Sequence, residues 1–346
     1  MRKDTKQSLT IYERINRRRW IIALTIIAAM ACAAIIDIGV GSSKMEASSV
    51  LEVLWDGPDG DTPNTMIIWA IRLPMMLTCL FVGLCLGVSG LQVQTITNNP
   101  LASPYTLGIT ASASFGAAIS ITFGLSIGGY VWIGTAILAL LFSLGASLGI
   151  FFLGNMRGMS ANTLVFAGII MNFFFSALQQ YLQYMASAEV AQVISSWTFG
   201  NLSRSNWTSV TVVGILAVIG VLLLAQWSWK LTALTMGEER AISLGVDVER
   251  LRLQVFVVSA VLIAGAVGFI GTVAFVGLVA PHCAKLLLGE DQRFLLPVSG
   301  ILGSLLMLTS SIISKLLSHG SMLPVGIITS IVGVPFLFVL LMKSRR

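Results

Sequence analysis

Charge is what this sequence has least of. Of its 346 residues, 21 are Lys or Arg and 15 are Asp or Glu, 10% in all, against 56% hydrophobic residues. An ordinary soluble domain carries about a quarter charged residues, so that class is excluded, and the mean hydropathy of +0.89 agrees. Histidine is nearly missing: His282 and His319 are the two present, and they fall toward opposite membrane faces, so no facing pair for haem is expected. The four cysteines, Cys32, Cys79, Cys85 and Cys283, lie in or beside apolar segments without CxxC spacing. They read as small buried residues rather than disulfides or metal ligands. No G-x-x-x-x-G-K-[ST] phosphate loop occurs, so the chain is not expected to hydrolyse ATP, and neither catalytic residues nor a cofactor are assigned. The apolar runs themselves are nearly bare of ionisable groups, with Asp37 and Glu189 close to predicted outer ends. Ion-coupled carriers keep such groups at membrane depth, at roughly 2.5–3.5 kcal/mol each on insertion scales. That argues against a secondary transporter and for an outside energy source, such as a cytoplasmic ATPase.

What is present is a series of long apolar runs. A spanning helix needs about 20 such residues, and candidates lie at 20–38, 66–94, 106–124, 130–153, 161–186, 208–228, 253–271, 272–288, 294–317 and 323–342. The expected fold class is therefore an all-α polytopic membrane protein with ten transmembrane helices. The first run has no A-x-A-like cleavage site and reads as a span, not a leader. Seven basic residues (Arg2, Lys3, Lys6, Arg14, Arg17, Arg18, Arg19) precede it, whereas Gly39–Asn64 holds Lys44 against Glu46, Glu52, Asp56, Asp59 and Asp61. Positive residues stay inside, which makes the N-terminus cytoplasmic; Lys343, Arg345 and Arg346 put the C-terminus there too, and the span count is even. Of the 21 basic residues, only Lys44, Arg72, Arg204 and Lys315 then lie outside. The net charge of +6 reflects topology and gives no support to nucleic-acid binding. Residues 1–19 form a basic cytoplasmic tail, 20–342 one ten-helix transmembrane domain with a cytoplasmic loop at about 230–252, and 343–346 a second tail.

Within that loop, residues 237–252 (GEERAISLGVDVERLR) form the strongly charged interior segment. Glu238 and Glu239 after Gly237 suit a helix N-terminus, Gly245 suits a left-handed C-terminal stop, and Asp247 suits the cap of the next helix. Such a helix–turn–helix beneath the bundle can pass a push from a bound motor to the helices it joins; a plain solvated loop is the alternative.

Thirty-three glycines recur at spacings such as Gly83–Gly87 and Gly145–Gly149, predicting close helix packing. Pro74, Pro100, Pro104, Pro281, Pro297, Pro324 and Pro335 fall at or near segment ends, where helices stop or break. Gln92, Gln94 and Asn172 are polar groups at membrane depth that either line a pathway or tie helices together. Trp197 and Gly200 lie near the outer mouth. Asn98, Asn99 and Pro100 make turn chemistry, and His282 beside Pro281 reads as satisfying backbone at a helix break.

The runs IRLPMML (71–77), SGLQVQ (89–94), NNPLASPYTLG (98–108), WTFGNL (197–202), GEERAISLG (237–245), FVGLVAPH (275–282), GEDQRFLLP (289–297), LPVG (323–326) and GVPFLF (333–338) together resemble the FecCD family of ABC importer permeases. The resemblance runs from about Arg72 to the C-terminus, in the family's order. It implies the type II importer architecture of ten helices per subunit. It also implies a second permease subunit (an identical copy or a paralogue), two cytoplasmic ATPase subunits and an extracytoplasmic binding protein. It implies that Gly237, Glu238, Glu239, Arg240, Ser243, Leu244 and Gly245 belong to the ATPase-coupling loop. Arg72, with Pro74 suited to a first helical turn, and Lys315 match the basic positions that meet glutamates of the binding protein. Met75 departs from the family's usual second basic residue. The expected cargo is a ferric siderophore, with haem or cobalamin as alternatives and a multi-pass protein of the bacterial cytoplasmic membrane as the setting. From other classes, an ion-coupled carrier or a purely structural membrane subunit stay as alternatives. Gln92, Gln94, Asn172, Trp197 and Gly200 are the candidate path residues.

Overall fold

The computed structural model describes residues 2–41, 45, 47–58, 60, 62–156, 160–318 and 322–343. Lys44, Glu46, Asp59, Asp61, His319, Arg345 and Arg346, used above for topology or ligand arguments, lie outside the described residues. Among the described residues there is no strand, only one isolated bridge, Ile127 to Tyr130.

In chain order the helices are α1 (Arg2–Gly39), α2 (Ala47–Asp56), α3 (Pro63–Ile96), α4 (Ile109–Thr122), α5 (Val131–Met156), α6 (Ala161–Met185) and α7 (Ala188–Thr198). There follow α8 (Trp207–Gln226), α9 (Ser228–Thr235), α10 (Glu238–Ser243), α11 (Val248–Ile270), α12 (Val276–Leu288), α13 (Gln292–Leu317) and α14 (Val325–Lys343). Seven helical segments are long and apolar enough to cross a membrane: Asn16–Gly39 of α1, then α3, α5, α6, α8, α11 and α13. The chain is a multi-pass membrane protein. Three further apolar stretches, α4, α12 and Val325–Phe338 of α14, are shorter. At 1.5 Å per residue, the 14 and 13 residues of α4 and α12 fall well short of an apolar layer about 30 Å thick.

Local chemistry explains both short helices. The expected span 106–124 begins only at Ile109, because Pro100, Pro104 and the left-handed Gly108 (φ 73°) hold 97–108 as turns. The expected span 272–288 begins only at Val276, because Gly271 (φ 85°) and the unusual left-handed Phe275 (φ 68°) stop α11 and reset the direction of the chain.

Helix α3 departs from expectation at its start. Thr62 caps it by accepting from Thr65 N at 3.2 Å, and Pro63 occupies the first turn. Pro74 therefore lies inside the helix, not at its beginning. The six residues ahead of it, Ile67–Arg72, form a π-helical turn, a wider winding found where the regular i to i−4 ladder is interrupted. Pro281, Pro297 and Pro335 likewise sit within α12, α13 and α14, so none of them breaks a helix.

The core is α3 wrapped by α11, α12 and α13. Buried shares of 67%, 61% and 56% for the apolar windows of α3, α11 and α13, against 28% and 22% for α5 and α6, separate inner helices from outer ones. Backbones approach closely where α3 meets its neighbours: a Cβ on Gly87 would strike the Ser299 carbonyl of α13, and one on Gly90 would strike the Gly277 carbonyl of α12. In lipid, where apolar area alone drives little association, such contact is what binds helices. Gly145 has open space around it and Gly149 meets only the Met171 side chain, so that pair brings no backbones together. Cys79 and Cys85 are buried, but Cys32 is exposed, contrary to its reading as a buried residue.

Candidate functional site

Three places hold the sequence-predicted residues. At one end of the bundle lies the 237–252 element. Gly237 (φ 113°) opens α10, and Glu238 and Glu239 occupy its first turn. Its C-terminus is a Schellman turn: Val246 N donates to Ala241 O at 3.0 Å, and Gly245 N to Ile242 O at 2.9 Å, with Gly245 left-handed at φ 82°. Asp247 Oδ1 accepts from Arg250 N at 3.0 Å and so starts α11. Ala241 and Val246 are buried and anchor the element. Glu239, Arg240, Ile242, Ser243, Leu244 and Gly245 face out. Ile242 and Leu244 are 58% and 49% exposed, an apolar pair flanked by charges. Glu238 differs from its neighbours: its carboxylate turns back to Arg252, accepting from Nη1 at 3.1 Å and Nη2 at 2.9 Å.

The same end holds the start of α13. Asp291 caps that helix through Arg293 N at 3.2 Å and pairs with Arg293 Nη2 at 2.9 Å and Arg19 Nη1 at 3.2 Å. The hydrogen bond from the Arg293 side chain holds the Asp291 carboxyl below the usual carboxylate range, against a smaller opposing effect of burial.

At the other end, Arg72 and Lys315 do not face outward. Arg72 is buried, its Nη1 donating to the Ile38 and Gly39 carbonyls at 2.8 and 3.0 Å, where it satisfies the C-terminus of α1. Lys315 Nζ lies 2.8 Å from Asp37 Oδ2 and donates to the Asp37 carbonyl at 2.7 Å; their side chains are 5% and 0% exposed. The premise of two basic groups presented to another protein is thus corrected: α1 supplies partners 34 and 278 residues away, which local reading does not reveal. Met75 is a buried core residue.

Between the ends lies a cavity of about 540 Å³. One wall is a stripe of α6, Asn172, Ser176, Gln179, Gln180 and Gln183; the others come from α4, from Thr198 and Phe199, from Thr272 and Ala274 in the break before α12, and from the start of α14. None of the lining residues is Asp, Glu, Lys, Arg or His. Ser114 Oγ, on this wall, is buried without a hydrogen-bond partner among the described residues.

Of the candidate path residues, Asn172 alone faces this cavity. Gln92 Nε2 donates to Gln292 Oε1 at 3.3 Å, Gln292 Nε2 to Thr95 Oγ1 at 2.8 Å, and Gln94 Nε2 to the Leu278 carbonyl at 3.4 Å. They tie α3 to α13 and α12, as buried amides in an apolar surround must find partners. Trp197 is buried in the core. Gly200 O accepts from Val325 N at 2.8 Å, stitching the end of α7 to the start of α14, and Thr198 and Phe199 form the wall instead. Gln179, Gln180 and Gln183 were missed; their i, i+4, i+7, i+8, i+11 register with Asn172 and Ser176 was available as a signal.

Comparison with known proteins agrees with this architecture. Residues 17–343 match the FecCD transport family, and the chain belongs to it. It is 31% identical over 321 residues to a molybdate import system permease of Haemophilus influenzae, covering 90% of this chain and 93% of that one. It is also 31% identical over 328 residues to an iron(3+)-hydroxamate import system permease of Bacillus subtilis, covering 94% and 84%. A solved inward-facing structure, described as an ABC transporter of the metal-chelate type, superposes with a TM-score of 0.82 at 30% identity, covering 93% of this chain and 99% of the other. Family and fold define an ABC transporter permease subunit.

Proposed function

We propose that this chain is the permease subunit of a binding-protein-dependent ABC importer that moves an iron(III)-siderophore across a bacterial cytoplasmic membrane by alternating access. The observation that carries the reading is α10: a short rigid element, anchored by Ala241 and Val246, that offers Glu239, Arg240, Ile242 and Leu244 to a partner. The chain has no phosphate loop of its own, so hydrolysis falls to two cytoplasmic ATPase subunits seated on that surface. Ten spans with both termini cytoplasmic accommodate this, the short α4 and α12 together with the 19-residue α14 completing the seven long helices.

The cavity supports the choice of cargo. One wall of uncharged amides and hydroxyls, in a cavity whose other walls are largely apolar, suits a large chelate that arrives with its metal wrapped in oxygen ligands, better than a bare oxyanion, which would be met by cations or dedicated backbone donors. The hydroxamate relative and the metal-chelate neighbour support that choice, and the molybdate relative marks the competing one. Haem and cobalamin stay within the same class. A second permease copy or paralogue completes the pathway. An extracytoplasmic binding protein docks over the end of the bundle beneath which Arg72 and Lys315 lie buried against α1. A proton-coupled carrier is disfavoured because the Asp37–Lys315 pair is sealed away from a cavity that carries no acid or base of its own.

Reconstitution with ATPase and binding proteins in proteoliposomes tests this. ATP-dependent uptake of a ferric siderophore that fails in Glu239→Arg is the expected result; ATP-independent uptake, or a charge reversal without effect, overturns it.

A further inference from the structure

Arg252 was assigned no role by the sequence. It lies in the second turn of α11 and is 3% exposed. Its one guanidinium serves two elements at once: Nη1 and Nη2 grip the Glu238 carboxylate of α10 at 3.1 and 2.9 Å, and Nε donates to the Ile96 carbonyl at 3.2 Å. Ile96 is the last residue of α3, where carbonyls lack intrahelical partners and carry the negative end of the helix dipole. We propose that Arg252 is a positioning residue that passes displacement of α10 into α3, so that the stroke of the docked ATPase reaches the cavity; this rests on the reading of α10 as the ATPase seat.

The physical reason is the shape of the group. A guanidinium is planar with its donors in a fixed fork, so the Glu238 carboxylate cannot shift by about an ångström without rotating the plane and pulling Nε from Ile96, since hydrogen bonds weaken steeply with misalignment. The apolar anchors of α10, Ala241 and Val246, make non-directional contacts that can slide. Within the last turn and a half of α3, Gln92 and Thr95 bind Gln292 of α13, and Gln94 binds the Leu278 carbonyl of α12. Movement of Ile96 is thereby shared with α12 and α13. Helix α12 begins just past Thr272 and Ala274, which wall the cavity.

The test is Arg252→Lys beside Arg252→Gln in the complete transporter, with ATP hydrolysis and cargo uptake read in the same proteoliposomes. Lysine keeps the charge opposite Glu238, but its three donors sit on one freely rotating nitrogen, so it lacks the rigid planar fork that fixes the Glu238 carboxylate relative to the Ile96 carbonyl. Cargo moved per ATP hydrolysed should fall about tenfold in both variants, the scale of losing one charge-assisted hydrogen bond. An unchanged ratio in Arg252→Lys beside a well-coupled wild type overturns the proposal alone, because a merely structural cation would be rescued by lysine. A ratio that stays constant while hydrolysis and uptake drop together in Arg252→Gln also overturns it. Wild-type uptake that ignores ATP overturns the importer reading and this proposal with it.

Discussion

The Asp37 carboxylate at the end of α1 lies 2.8 Å from the Lys315 ammonium near the end of α13, and both side chains are almost wholly buried. Removing one partner of a buried pair strands a charge and costs roughly 3–5 kcal/mol, whereas replacing both by apolar groups is close to neutral. Lys315→Met and Asp37→Leu should each lower the unfolding midpoint in detergent, and the double variant should recover most of the loss. Strictly additive losses would show that the two groups do not act as a pair.

Gly245 ends α10 in the left-handed region at φ 82°. A Cβ meets no neighbour there, so the cost of Gly245→Ala is conformational alone, about 1–2 kcal/mol. Because that turn aims Leu244 and sets Val246 into the core, co-purification with the ATPase subunit should weaken while the bundle itself stays folded. Equal retention of the ATPase by the variant and the wild type would mean that the turn is not part of the seat.

Asp291 offers a pH test. Its folded carboxyl is held below the usual range, chiefly by Arg293, so its contribution to stability is present above the unfolded carboxylate pKa of about 3.9. That contribution disappears as pH falls through the lower folded value. Asp291→Asn should therefore be less stable than wild type near neutral pH, and the gap should narrow on acidification below about pH 4. Thermal unfolding across pH 3–7 reads this directly; a gap independent of pH would place the effect in lost packing.

Local chemistry was legible in the sequence, and long-range partnership was not. The start of α10, the Gly245 turn and the Asp247 cap all follow from residues within one turn of each other, and the structure reproduces them. Pro74 was misread as a first-turn proline although the apolar run already began at 66; the structure starts α3 at Pro63 and takes Pro74 into the helix behind the π turn Ile67–Arg72. Arg72, Lys315, Gln92 and Arg252 find partners 34, 278, 200 and 14 residues away, distances at which pattern reading has nothing to pair. The glutamines of α6 form the opposite case: their helical register was visible, but a polar stripe gains meaning only when α4 and α14 close a cavity against it.

That stripe supplies the sharpest discrimination of cargo. Gln180 is exposed on the cavity wall and Gln179 partly so, so either accepts a charge without displacing the core. A new charge among these uncharged side chains must stay solvated or find a counter-ion, and an oxygen-rich chelate offers a cation only a diffuse partner. Gln180→Lys and Gln180→Glu should therefore both slow ferric-siderophore uptake, by about tenfold if each costs one poorly compensated hydrogen bond. Competition assays with molybdate separate the alternatives. If the natural cargo were a small oxyanion, Gln180→Lys would raise its uptake while Gln180→Glu abolished it, and the assignment of a neutral-walled chelate path would fall.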